Sequence, residues 1–259
     1  MLQIALIQLE KRILYSCYSP KSQEPNSAVT QLIQGIYEND PNNAIFVLRN
    51  RIYTNYLPTL ICKSMIAIAA KRISQKENME FFLNSTSLPK IQITYSPQKI
   101  ENQLSNLEFE NGIKWLHGAN DTQLNLNTNR QPLYNKNRSV RAFIVNPQKQ
   151  IIMTSSNQNS INKTQHAEVL LLQNFFSLNQ CGFNEPMTLF TSLQCCKMCA
   201  AMLWTMHSDP WNNLKVLYLN AEKGNSANNS ILAKNSEQRR ELTENINRRN
   251  IQFEFKFDF

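Results

Sequence analysis

The sequence predicts an α/β protein in two parts. The C-terminal part reads as a three-layer α/β/α unit with a mixed sheet, and a smaller α+β part precedes it. Three observations carry this. After residue 138, alternating and 3.6-residue apolar patterns take turns in the order β-β-α-β-α-β-α-β. Strands joined through helices favour parallel pairing and a hairpin supplies an antiparallel pair, so the sheet is mixed and the helices pack on it. Gly118 to Arg138 is polar, Asn-rich and without periodic burial, so the boundary falls there and divides the chain into 1–120 and 121–259.

Residues 2–18 are apolar but poorly periodic, and fit two short strands or one amphipathic helix. Ser19 to Asn26 is a loop rich in Pro and Ser. Ser27 to Tyr37 predicts a helix, with Val29, Leu32, Ile33 and Ile36 on one face and Ser27 as its cap. Pro41 starts a new segment, 42–54. Leu57 to Ile73 predicts the core helix of this half, and Glu77 to Leu83 a short one. Ile91 to Tyr95 alternates like a strand, and Gln98 to Leu107 reads as a helix. No internal repeat is visible. No phosphate-cradling Gly loop is present either, in a chain with only 5 Gly.

In the second part, Val140 to Val145 and Gln150 to Thr154 form a hairpin across an Asn-Pro turn. Ser155 to Lys163 is a polar loop. Thr164 caps a helix from Gln165 to Ser177. Met187 to Ser192 is a strand, Cys196 to His207 a helix and Leu214 to Asn220 a strand. Ser236 to Arg249 predicts a charged helix, and Ile251 to Phe257 a last strand.

The formal charge of +8, from 27 Lys and Arg against 19 Asp and Glu, favours a polyanionic partner such as nucleic acid. Six Cys in a chain of 259 residues do not suit a short secreted disulfide scaffold. The first ten residues lack a basic n-region and make a poor signal peptide, so a reducing cytoplasm is expected. The longest apolar run, Leu57 to Ala70, is too short to span a bilayer and contains Lys63, so no membrane partner is expected.

The chemistry gathers between Thr164 and Met202. Cys196 and Cys199, three apart at a helix start, put both sulfurs on one face, where the helix N-terminus favours the thiolate. Alone the pair fits a redox or structural-zinc site equally well. His166 and Glu168, two apart at another helix start, point to different sides, so the His can hold a metal while the Glu reaches the water side. His plus two Cys leave one tetrahedral position open, which marks a catalytic zinc, and a carboxylate beside the water can shuttle its proton.

The stretch resembles the zinc-dependent cytidine/adenosine deaminase superfamily, whose signature is H-x-E followed by P-C-x-x-C. His166-Ala167-Glu168 matches the first part. Leu193-Gln194-Cys195-Cys196-Lys197-Met198-Cys199 resembles the second, and Met198 is most similar to the tRNA-adenosine and guanine deaminase branch. The resemblance covers about residues 135–259 and implies a cytidine-deaminase-like fold. It also implies Zn²⁺ on His166, Cys196 and Cys199, with Glu168 as the catalytic proton shuttle and Asn157, with Asn159 close behind, as the substrate-binding residue. The activity it implies is deamination of C or A, in tRNA or single-stranded nucleic acid. The alternatives are a deaminase of free bases or nucleosides such as guanine, or a non-catalytic zinc-containing binding module. A homodimer is left open. Two departures stand out: Cys195 replaces the family Pro, and Gln194 replaces a usual Glu.

Overall fold

A computed structural model describes residues 1–69, 72–76, 79–97, 108–119, 139–159, 162–222, 226–234 and 239–241. The ambiguous start forms a hairpin: β1 (Gln3–Gln8) and β2 (Ile13–Tyr18) pair antiparallel, Gln3 opposite Tyr18 and Gln8 opposite Ile13. Ile4, Leu6 and Ile13 face one cluster while Ala5, Ile7 and Leu14 face another. A strand buried on both faces reads as a continuous apolar run, which is why alternation was absent.

Ser27 caps α1 (Ala28–Asn39) in a reciprocal capping box with Thr30. The short α2 (Ala44–Val47) leads into β3 (Arg51–Thr54). The helix expected to reach Ile73 is α3 (Leu60–Ala69), and Ile73 lies instead in β4 (Arg72–Gln75), opposite Ile52 of β3. A β-branched apolar residue serves either element, and the ladder partner decides. Then come α4 (Met79–Ser85), β5 (Lys90–Gln92) and a helix the sequence did not announce, α5 (Phe109–His117). The helix expected at 98–107 lies outside the described residues.

The second part follows its expected order as far as β9: β6 (Arg141–Val145), β7 (Ile151–Ser156), α6 (Ala167–Asn179), β8 (Met187–Leu193), α7 (Lys197–Met206), an added single-turn α8 (Pro210–Asn213) and β9 (Leu214–Asn220); the short α9 (Ile231–Lys234) and β10 (Arg239–Glu241) come after it. Two expectations are corrected. The cap of α6 is His166, not Thr164. Asn162 Oδ1 accepts from both the backbone and the hydroxyl of Thr164, and this Asx turn delays the helix by two residues. Arg239, Arg240 and Glu241 are strand rather than helix, pairing parallel with β9 from Val216 to Tyr218. The remainder of that expected helix, with Arg248 and Arg249, and the expected strand 251–257 lie outside the described residues.

Two mixed sheets result, ordered β4-β3-β1-β2-β5 and β10-β9-β8-β6-β7. Helices α1 and α3 on the first sheet and α6 and α7 on the second share one apolar core. On its outer face the first sheet carries α4, through Met79 and Leu83. The second carries α5 on its outer face, with Ile113 and Leu116 against the stacked rings of Phe143 and Phe190. The α/β/α sandwich of the second sheet is therefore closed by α5, a helix that precedes the expected boundary near residue 120. Among the described residues no helix is long and apolar enough to cross a membrane.

Candidate metal centre

The N-termini of α6 and α7 meet beyond the C-terminal end of β8, the edge where open α/β sheets bind ligands. His166 caps α6 with extended backbone (ψ 154) and Cys196 caps α7 in the same way (ψ 171), so each projects from a chain just entering its helix. Cys199 sits in the first turn of α7. The ligand atoms of His166, Cys196 and Cys199 all lie within 4.8 Å of one another. His166 Nδ1 is 3.5 Å from Cys196 Sγ and 3.4 Å from Cys199 Sγ, and the two sulfurs are 3.4 Å apart. Tetrahedral zinc with its usual bond lengths needs N···S of about 3.5 Å and S···S of about 3.8 Å. The donor set and its edges fit that ion to within a few tenths of an ångström.

Glu168, in the first turn of α6, is buried and 3.4 Å from Cys199 Sγ through Oε2. Its Oε1 accepts from the Thr191 hydroxyl at 3.2 Å and lies 3.6 Å from Cys195 Sγ. Burial pushes the Glu168 carboxyl above its ordinary range, against the opposing pull of the His166 cation. Burial also works against a charged His166, but the adjacent Cys196 thiolate, Glu168 and Glu222 together push the imidazole up to about 9. Cys196 is held well below the ordinary thiol range by the hydrogen bond from Cys199 and by the His166 cation. Cys199 is pushed up by burial. His and Cys bind a metal in their deprotonated forms, so a cation binding at this cluster displaces protons.

A cleft of ≈ 270 Å³ opens above the cluster and is lined by Asn157, Asn159, His166, Glu168, Gln194 and Cys196, with Glu222 on its wall. Asn157 Oδ1 accepts from Val140 N at 2.8 Å, and its amide donates to Asn159 Oδ1 at 2.7 Å, fixing the loop after β7. Gln194 accepts from the backbone of Glu222 at 3.0 Å, so it ties the loop after β9 to the cleft wall. Cys195 is buried beside Glu168 but does not join the three-residue cluster.

Thr191 and Glu222 were missed in the sequence. Thr191 shows only strand alternation, and Glu222 stands two residues past β9 with no motif spacing to mark it. Two tryptophans and a second histidine of this half lie elsewhere. Trp204 and Trp211 meet edge to face, outside the residues that line the cleft. His207 is within 3.0 Å of the Glu185 carbonyl oxygen and accepts from Asp209 N.

The mixed sheet, the candidate ligands at two helix starts and the adjacent carboxylate are the parts that the resemblance to the deaminases leads one to expect. Residues 131–242 match the family model of the Bd3614-like deaminases, which supports a cytidine/adenosine deaminase-like domain over this segment. Among solved structures, a tRNA:A34 deaminase acting at the wobble position of transfer RNA aligns at 20% identity and TM-score 0.28, over 32% of this chain and 61% of that one. The chain thus spans less than two thirds of that enzyme's length. The dCMP deaminase of cyanophage S-TIM5 aligns at 13% identity and TM-score 0.33, over 55% of this chain and all of that one. The same enzyme with dCMP and dUMP aligns at 12% identity and TM-score 0.32, over 55% of this chain and 99% of that one. No curated protein matches the chain.

Proposed function

We propose that the protein removes the exocyclic amino group of a nucleobase, C or A, by zinc-dependent hydrolysis, and that the base belongs to a nucleic acid such as tRNA or a single strand. One observation carries this reading. Three ligand atoms converge at two helix starts, with a buried carboxylate 3.4 Å from one of them, under an open cleft. His166, Cys196 and Cys199 would hold the zinc, which supplies Lewis-acid activation of water.

The chain's own residues do the rest. Glu168 takes one proton from the attacking water and delivers it to the ring nitrogen, then carries the second proton from the new hydroxyl to the amino group, which leaves as ammonia as the ring carbonyl forms. Its raised pKa suits a group that must both accept and release a proton near neutrality. The Thr191 hydroxyl holds Oε1, so that the carboxylate turns its other oxygen toward the cluster. Asn157, fixed by Val140 and Asn159, positions the base or its sugar. The charge of +8 supports a polymeric substrate through counterion release, and the cytoplasm is the compartment that suits reduced thiolate ligands.

The test is metal analysis with base conversion. Protein purified without chelators should carry about one zinc per chain. Incubated with RNA, single-stranded DNA and free bases, it should release ammonia and convert C to U or A to I in the polymers. Conversion of free bases alone would overturn the polymeric substrate. A metal-free protein that recovers no activity with zinc would overturn the reading as a whole.

A further inference from the structure

The two sheets follow one plan. In the first, β1 pairs antiparallel with β2 and with β3, and β3 pairs parallel with β4. In the second, β6 pairs antiparallel with β7 and with β8, and β8 pairs parallel with β9. The spatial orders β4-β3-β1-β2 and β9-β8-β6-β7 are the same. Helix α1 follows its hairpin as α6 does, and α3 links its parallel strands as α7 does.

The ladders define counterparts without any appeal to sequence likeness. Ala5 stands opposite Ser16 and Thr54, as Ala142 stands opposite Ser155 and Thr191. Counted forward from Thr54 and Thr191 with no insertion, α3 (Leu60–Ala69) falls on α7 (Lys197–Met206) from first residue to last. Counted from Ser16 and Ser155, Ser27, the cap of α1, falls on His166, the cap of α6. Side-chain hydrogen bonds repeat as well. Thr54 Oγ1 lies 2.9 Å from the carbonyl oxygen of Tyr56, as Thr191 Oγ1 lies 3.0 Å from that of Leu193. Ile4 N donates to the Asn55 side chain, as Arg141 N does to that of Ser192.

The two units also meet through counterparts. Helix α3 packs on α7, and Gln34 Nε2 donates to Oε1 of its own counterpart Gln173 at 3.1 Å. Contact between equivalent residues is what a two-fold axis produces.

At the counterpart of the metal centre the chemistry is gone. Ser27, Val29, Thr59 and Cys62 stand where His166, Glu168, Cys196 and Cys199 stand. Buried Cys62 is 3.1 Å from Thr59 Oγ1 and 3.4 Å from both Ser27 Oγ and the Tyr56 hydroxyl. Neutral hydroxyls are not the N/S ligands zinc selects, and Val29 can carry no proton. Pro58 stands opposite Cys195, and so keeps the Pro that the deaminase signature places before its first Cys.

We propose that residues 3–75 are a second deaminase-type unit, silent in metal binding and catalysis, that serves as a built-in partner for the catalytic unit. It covers the apolar α6–α7 face from within the chain, so the protein works as a monomer with one centre. It also braces the site loop: Asn162 Nδ2 donates to the Gln34 carbonyl and Lys163 Nζ to that of Ile68. The zinc count expected of the natural chain rests on the proposed function; the duplication does not.

Two measurements on the full chain test this. Sedimentation across a wide concentration range should give a monomer of 30.0 kDa, and a stable dimer would overturn the built-in partner. Second, the substitutions Ser27→His, Val29→Glu, Tyr56→Leu and Thr59→Cys, made together, should raise zinc from about one to about two per chain. Adding His166→Ala should bring it back to about one. A variant that melts cooperatively yet stays at the natural count would overturn the counterpart assignment, and if it does not fold, the solution mass decides. A natural chain that binds no zinc would instead sink the proposed function, leaving the monomer mass to judge this one.

Discussion

Replacing Glu168 by Gln separates what the carboxylate does for chemistry from what it does for the fold. Gln matches the volume and can accept the Thr191 hydroxyl that Oε1 now accepts at 3.2 Å, so packing survives. What goes is the proton carrier. A positioned acid–base group contributes about two to four decades of rate, or roughly 3–5 kcal/mol of barrier at about 1.4 kcal/mol per decade. Base conversion should fall by that factor while zinc stays bound, because Glu168 is not among the three cluster residues. Stability should move the other way. Burial raises the Glu168 carboxyl above its ordinary 4.5, so the native state favours the protonated form. The stability from that form is present below about pH 4.5 and is lost as pH rises through the raised value. Gln is neutral at every pH, so the metal-free variant should melt higher than the natural protein at pH 7, and the gain should shrink toward pH 4. Single-turnover base conversion, zinc analysis and thermal melts read the three effects. Activity retained within about threefold would refute the shuttle, and a metal-free variant that melts lower at pH 7 would refute the account of burial.

Three further outcomes are expected. Cys199→Ser should leave the protein nearly zinc-free after brief chelation while Cys195→Ser keeps its metal, and equal loss from both would make Cys195 a ligand. Gln34→Ala and Gln173→Ala should each cost about 1–3 kcal/mol in urea unfolding, since each strands a buried amide. The Gln173 change should cost more, because its amide also donates to Asn26 at 2.7 Å, and the double variant should show a coupling of about 0.5 kcal/mol or more; strict additivity would deny the contact. Gly182→Ala would set a Cβ 2.1 Å from the Met206 carbonyl oxygen, next to the Phe183 N–H that bonds the same oxygen at 2.7 Å. A loss of about 1–3 kcal/mol is expected, at about 2–4 °C of melting temperature per kcal/mol, and an unchanged melt would refute the close packing.

The site was legible because its geometry is local. A ligand at the cap of a helix, or a pair three residues apart in a first turn, is set by a handful of dihedrals that short-range sequence governs. That is why His166, Glu168, Cys196 and Cys199 could be singled out from spacing and meet in the folded chain. Where locality failed, the reading slipped. Thr164 looked like a cap until the Asn162 side chain claimed it. Helix α5 was hidden by its Asn111-Gly112 pair, a turn signal, yet a Cβ on Gly112 would lie 2.5 Å from Ile151 Cδ1. That glycine lets the helix approach the sheet. The repeat was invisible because its identical pairs, such as Thr54 with Thr191, are scattered, and many core counterparts share burial rather than identity: Ile52 with Leu189, Leu14 with Met153, Ile61 with Met198. Three of the four site residues, which would have betrayed it, are replaced, and only Cys62 keeps the identity of its counterpart Cys199.

By itself the sequence determined the α/β order from Arg141 to Asn220, the two helices that bear the candidate site and the candidate donor set they bring together. Those features arise from periodicity, capping and ligand spacing, all of which act within a few residues. Only the tertiary structure decided that Thr191 and Glu222 join the site, that residues 72–75 leave the helix for the sheet, and that the first half repeats the second and packs against it. Such outcomes depend on strand register and on apolar faces finding each other across more than a hundred residues, and that choice is made by surface complementarity, which no local pattern encodes.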